Sequence, residues 1–180
     1  MNQIKKKNLE AISVQLRPLK ESDYSDEYLN WLEDQEINRY LETRWKEQTK
    51  EKIKSFISSM ESSQHDILYG IFHDHKHVGN IKIGLVNWNH MSAHIGYFIG
   101  SRDFWGKGLA TEAVRRVTQF AFEELNLNKC NAGVYSGNSG SIRVLEKVGY
   151  NLEGCQRKEF KGPNGWEDHL LYGCLREEFL

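Results

Sequence analysis

Phe104-Trp105-Gly106-Lys107-Gly108-Leu109-Ala110-Thr111-Glu112-Ala113 joins an apolar run, Ile95 to Ile99, to a long amphipathic pattern. The run reads as a buried strand and the pattern as a helix. Gly106 and Gly108 sit at the junction. Without Cβ atoms they can take positive φ and let backbone N–H groups converge on one point. A helix start adds unpaired donors and partial positive charge. Together these make a seat for phosphate or pyrophosphate, to which Lys107 can add a full charge. An ordinary strand-to-helix turn would use the same glycines. Behind the junction Leu109, Ala113, Val117, Ala121 and Leu125 recur every fourth residue, widened by Phe120. Glu112, Arg115, Arg116, Gln119 and Glu123 fall on the opposite face, the pattern of a core-facing helix.

The chain has 180 residues, a length that favours one domain with a substantial core. Its formal net charge of −1 gives no overall positive field to draw nucleic acid or anionic lipid. No apolar stretch approaches a membrane span, and the first residues lack the apolar core of a signal peptide. Cys130, Cys155 and Cys174 are widely spaced, with no CxxC, and read as reduced thiols in a cytoplasmic protein. Residues 1–11, with Lys5-Lys6-Lys7, read as a flexible polar tail rather than a binding arm.

Val14 and Leu16 mark a first strand, stopped at Pro18. Ser22 can cap a helix through Tyr28, Trp31 and Leu32. A short helix is expected from Glu36 to Leu41, and a third opens at Thr49. Ile67–Phe72 and Val78–Val86 form a hairpin about Asp74-His75-Lys76. A strand His94–Ile99, the hub helix and a strand through Cys130, Ala132 and Val134 follow. Asn138 or Ser139 caps another helix, which Gly149 ends. A hairpin of Gly154–Phe160 and Glu167–Leu175 closes the chain. That order implies an α+β domain with a mixed sheet.

Trp105 to Ala110 resembles the pyrophosphate signature of the GNAT superfamily of N-acetyltransferases, Gln/Arg-x-x-Gly-x-Gly/Ala, with Trp105 in place of the usual Gln or Arg. The string Trp105 to Ala113 and the block Asn138 to Tyr150 resemble the RimJ/RimL branch, and the likeness spans about Ile12 to Phe179. The resemblance implies one GNAT domain over residues 12–180, monomeric or homodimeric. Its sheet would have about seven strands, splayed between the fourth and fifth (His94–Ile99 and Lys129–Tyr135), with helices on both faces. It also implies acetyl-CoA as cosubstrate, without a metal. The cofactor would lie on Trp105, Gly106, Lys107, Gly108, Leu109, Ala110 and Thr111, with backbone at Phe98, Ile99 or Gly100 and side chains Asn138 and Ser141.

Attack of an amine on a thioester needs an acceptor for the amine proton and a donor for the departing thiolate. Asn138 matches the family's cofactor-contacting Asn, and equally suits a helix N-cap. Leu145 stands where many members carry a Tyr acid; in the RimL type a Ser at the Ser141 position is implicated instead. An unperturbed His titrates near neutrality, so His94 can take the amine proton directly or through water, or serve as a strand residue. Glu112 reads as structural, favouring the helix dipole. His73-x-His75-x-His77 straddles a turn without a carboxylate or Cys partner and reads as no metal site. Trp31, Arg39, Tyr40 and Arg44 are the candidate acceptor-binding residues. The expected acceptor is a protein N-terminal α-amine; an amino-sugar nucleotide, a polyamine or a non-catalytic acyl-CoA module are alternatives.

Overall fold

A computed structural model describes residue 4 and residues 6–179. Eight strands form one open sheet in the order β1-β2-β3-β4-β5-β6-β8-β7. They are β1 (Leu9–Glu10), β2 (Gln15–Pro18), β3 (Ile67–His73), β4 (Lys76–Asn87), β5 (Ser92–Ile99), β6 (Lys129–Tyr135), β7 (Asn151–Gly162) and β8 (Gly165–Leu175). Four helices cover it: α1 (Asp26–Glu33), α2 (Lys50–Ser62), α3 (Leu109–Glu123) and α4 (Ser139–Val148). All strand pairs are antiparallel except β5 with β6.

Side-chain alternation sends β3 and β4 residues to two cores. Ile67, Tyr69, Ile71, Ile81 and Ile83 meet α3 and α4 in the larger one. Leu68 points the other way and joins Tyr28, Trp31 and Leu32 of α1 and Ile53 and Ile57 of α2. Each fully buried aliphatic or aromatic side chain contributes roughly 1.5–3 kcal/mol. The apolar stripe expected of the hub helix is buried from Leu109 through Ala121.

The strand beyond the seven expected is β1, whose Leu9 is fully buried. It lies inside the segment expected to be a flexible tail, and the departure extends further. Lys6 Nζ donates to the carbonyls of Met60 and Glu61 at 2.6 Å, at the end of α2. A cation there suits the helix dipole. Lys5 lies outside the described residues. The first long helix is capped by Ser25, whose Oγ accepts from Tyr28 N, not by Ser22. The expected helix at Glu36–Leu41 reduces to single 3₁₀ turns, Asn38–Tyr40 and Glu42–Trp45.

The feature that positions the site is the failure of β5 and β6 to stay together. They pair only at Ser92↔Lys129, Ala93↔Cys130 and His94↔Asn131. From Ile95 to Ile99, β5 pairs with β4 alone, and no strand covers its other edge.

Candidate active site

The splay opens a cleft of about 600 Å³. Ile95 to Ile99 of β5 form one wall, and Ala132 to Tyr135 of β6 with Asn138 and Ser141 of α4 form the other. The hub loop closes its end. Gly106 and Gly108 adopt φ of 74° and 84°, and a Cβ at either would meet nothing within 4 Å. Gly108 is the N-cap of α3, so no side chain caps the helix. The N–H groups of Leu109, Ala110 and Thr111 therefore open the helix without intrahelical acceptors. This is the donor set an anionic diphosphate needs. The bare β5 edge offers backbone groups to an extended amide-bearing chain in the manner of an added strand. Acetyl-CoA, a diphosphate joined to an amide-containing arm, fits both.

Trp105, in the position of the signature's usual polar residue, turns its indole Nε1–H back to the Ile99 carbonyl at 2.8 Å. It ties the loop to the end of β5. Lys107 Nζ lies 5.0 Å from the Phe104 ring centre. Arg102 bonds both carboxylate oxygens of Asp34 at 2.5–2.6 Å and pairs with Glu36, fastening the segment after α1 onto the hub.

Asn138 caps α4: its Oδ1 accepts from Ser141 N at 3.2 Å, which leaves its amide N–H groups to the cleft. Ser141 Oγ shares a 2.8 Å hydrogen bond with the Tyr97 hydroxyl, which also lies 3.2 Å from the Ser141 carbonyl. Burial pushes the Tyr97 phenol up, so it stays protonated and can hold the serine hydroxyl in place. Sequence reading missed Tyr97 because it occupies an inward position of an apolar strand; a Tyr there, needing a buried partner, was the available signal.

A second cavity, about 950 Å³, opens on the α1/α2 face. Its floor is Leu68, Asn80, Lys82, Gly96 and Phe98, and its walls include Tyr28, Ile53 and Phe56. It shares Leu41, Glu42, Gly96, Tyr97 and Phe98 with the cleft. Gly96 points to this face, and a Cβ there would meet nothing within 4 Å. A path between the two spaces therefore runs past a missing side chain.

The acceptor candidates separate. Tyr40 and Arg39 line the cleft, with the Arg39 guanidinium 5.0 Å from the Tyr40 ring centre. Arg44 lines neither of the two joined spaces; it donates to the Tyr135 hydroxyl at 3.2 Å and to the Lys161 carbonyl, bracing the loop against β6 and β7. Trp31 is a correction. It is 5% exposed and packed so closely on Gly100 that a Cβ there would lie 2.0 Å from its ring. It is core, while Phe98 meets it edge-on from the sheet.

His94 is exposed on the α1/α2 face, two positions before Gly96, and lines neither space. Partial burial, then the charge of Lys82, lower its pKa. Glu42, on the shared wall, accepts a hydrogen bond from the Tyr135 hydroxyl. Burial and that bond push Tyr135 up to about 12. Glu112 is structural as expected: it accepts from Ser13 N at 2.7 Å and Ser13 Oγ at 2.9 Å. The three turn histidines go separate ways. His73 Nδ1 bonds the Ser13 carbonyl, His75 sits in the turn, and His77 bonds Asn80 and stacks on Phe72.

Comparison with known proteins gives this geometry its context. Residues 13–151 match the family model of the acetyltransferase (GNAT) domain. The chain is 32% identical over 179 residues to the probable N-acetyltransferase YjcK of Bacillus subtilis (strain 168), covering 94% of this chain and 98% of that one. It is 28% identical over 168 residues to spermidine N(1)-acetyltransferase of Escherichia coli (strain K12), covering 92% and 87%. The solved structure of RimL, a ribosomal L7/L12 alpha-N-protein acetyltransferase in complex with coenzyme A, has a TM-score of 0.83 over 94% of this chain and 98% of that one. At 15% identity that is a likeness of fold. The chain belongs to the GNAT family and is an acetyl-CoA-dependent N-acetyltransferase.

Proposed function

We propose that the acceptor is the α-amine at the N-terminus of a protein or peptide, as in the RimJ/RimL branch. The observation that carries this reading is the second cavity: broad, mostly apolar in its lining, and joined to the cleft at Gly96. A peptide can lay its first residues there with the amine at the opening. A polycation would favour acidic walls. Here the acidic side chains are Glu42 and Glu47, Glu47 is already paired with Lys52 at 2.9 Å, and Lys46 adds positive charge. The similarity to a spermidine acetyltransferase favours a polyamine as the second reading.

Acetyl-CoA supplies an activated acyl group as a thioester. The chain's residues do the rest. The N–H groups at Leu109, Ala110 and Thr111 bind and orient the diphosphate. The Asn138 cap fixes the first turn of α4, and with it Ser141. Tyr97 aims the Ser141 hydroxyl, which holds a proton for the departing sulfur. Glu42, facing both spaces, takes the amine proton; His94 reaches the same amine only through water.

A screen that detects free thiol, run with N-terminal peptides, amino-sugar nucleotides and polyamines, tests this. Peptides are expected to give kcat/KM at least about tenfold above the others. Turnover confined to spermidine or to a sugar nucleotide would overturn the peptide reading.

A further inference from the structure

The back of the acceptor cavity holds a polar group that the folded chain leaves unused. Asn80 lines the cavity and is 2% exposed. Its Oδ1 is bonded to His77 Nε2 at 2.8 Å, while its Nδ2 has no hydrogen-bond partner among the described residues. A buried donor without a partner costs about 1–3 kcal/mol. The Tyr28 hydroxyl stands beside the amide without closing a hydrogen bond to it. Around this polar spot the cavity is apolar, formed by Leu32, Ile53, Phe56, Leu68 and Phe98.

The sheet register sets the distance from the opening. Asn80 lies opposite Phe98, and Gly96 is two positions back on β5. Such diagonal neighbours have α-carbons about 7–8 Å apart. Lys82, opposite Gly96, leans away: its Nζ is 3.3 Å from Asp66, and its chain lies over Gly84. The space between Gly96 and Asn80 is therefore free of that side chain. An amine held at Gly96 would project its own side chain along this line. Alanine or serine is too short to reach the amide, and an aliphatic chain of full length would leave it unpaired. A protonated polyamine offers donors only, which a donor Nδ2 cannot use.

We propose that the first side chain of the acceptor peptide enters this cavity, and that the Asn80 amide and Tyr28 hydroxyl read a hydrogen-bond acceptor at its tip. The enzyme then selects an N-terminal residue of glutamine's length and polarity. This inference rests on the peptide reading above.

The test uses peptides that differ only in the first residue: Gln, its near-isostere Met, Leu and Ala. Thiol release gives kcat/KM, and calorimetry gives acetyl-CoA affinity. The native enzyme should prefer Gln over Met by at least about tenfold, the scale of one buried hydrogen bond. Asn80→Leu should bring Gln and Met within about twofold while leaving acetyl-CoA affinity unchanged. Tyr28→Phe, which keeps the packing of the ring, should narrow the same gap and decides the matter if Asn80→Leu does not fold. Equal rates for Gln and Met in the native enzyme overturn the inference and leave the peptide reading standing. A Gln preference intact in both variants also overturns it. Turnover of no peptide at all removes the peptide reading and this inference together.

Discussion

The two spaces that meet at Gly96 are built from different materials. The cofactor cleft is made of backbone: a bare strand edge, two positive-φ glycines and an uncapped helix start. The acceptor cavity is made of side chains brought from α1, the 3₁₀ turns, α2 and the sheet. Backbone donors can bind a diphosphate whatever side chains surround them, so a seat of this kind would be compatible with Trp105 in the signature. Side chains distinguish one amine from another, so under the proposed peptide reading the cavity is where acceptor choice would reside. The difference teaches that changes to the side chains of one space need not disturb the backbone that forms the other.

Breaking the backbone side should give the largest effect. Gly108→Val removes a residue at φ 84°, and the replacement pays roughly 1–2 kcal/mol in the left-handed region. Acetyl-CoA affinity by calorimetry should fall at least about 100-fold, with a loss in Tm of only a few degrees. Unchanged affinity would mean the loop is not the diphosphate seat. The proton donor comes next. Ser141→Ala should lower kcat roughly 100-fold with acetyl-CoA affinity kept, and Tyr97→Phe should lower it less, through a misaimed hydroxyl. If the two losses multiply in the double variant, the residues act separately and the relay between them is wrong.

Proton removal sharpens the comparison further. Glu42→Gln should lower kcat/KM at least about tenfold. In His94→Ala the acidic limb of the pH profile of kcat/KM should stay where it is. A limb lost with His94 instead would return the base role to that residue. The smallest effect concerns His77, behind the acceptor cavity. Burial lowers its pKa from 6.5, so the folded chain keeps it neutral. Below pH 6.5 the unfolded chain takes up that proton first. Its stability contribution is thus complete above 6.5 and is lost as pH falls toward the lower folded value. Tm should drop between pH 7 and 5.5, and less so in His77→Phe. Identical pH slopes for the two proteins would show that His77 is not the group responsible.

How much of this was legible in the sequence follows the same division. The cleft was readable because backbone sites leave spacing behind: Gly106, Gly108 and the four-residue stripe of α3 lie in one continuous string. That Asn138 and Ser141 share one wall of the cleft was readable for the same reason, one turn apart at a helix start; their roles belong to the proposal. The acceptor cavity was not, since Tyr28, Asn80, Gly96 and Phe56 are distant in the chain and ordinary in their own elements. Trp31 looked like a substrate contact because aromatic composition says nothing about which way a ring turns. Burial against Gly100 decided it. Ser22 lost the cap to Ser25 because either serine suits a helix start, and the packing of Tyr28 and Trp31 set the register. The strand at Leu9–Glu10 was not legible because it is only two residues long, follows a run of lysines, and pairs with Leu16 across a turn.

In the proposed mechanism the amine reaches the acetyl group from the α1/α2 cavity through the opening at Gly96. Gly96→Val tests it most directly, because a Cβ there enters empty space and valine suits a strand. The measurement is kcat/KM for the best amine acceptor beside the calorimetric affinity for acetyl-CoA. Affinity should stay within about twofold of the native value, and kcat/KM should fall at least about 100-fold. Native kcat/KM in the folded Gly96→Val protein would contradict it, and the amine would have to enter from elsewhere.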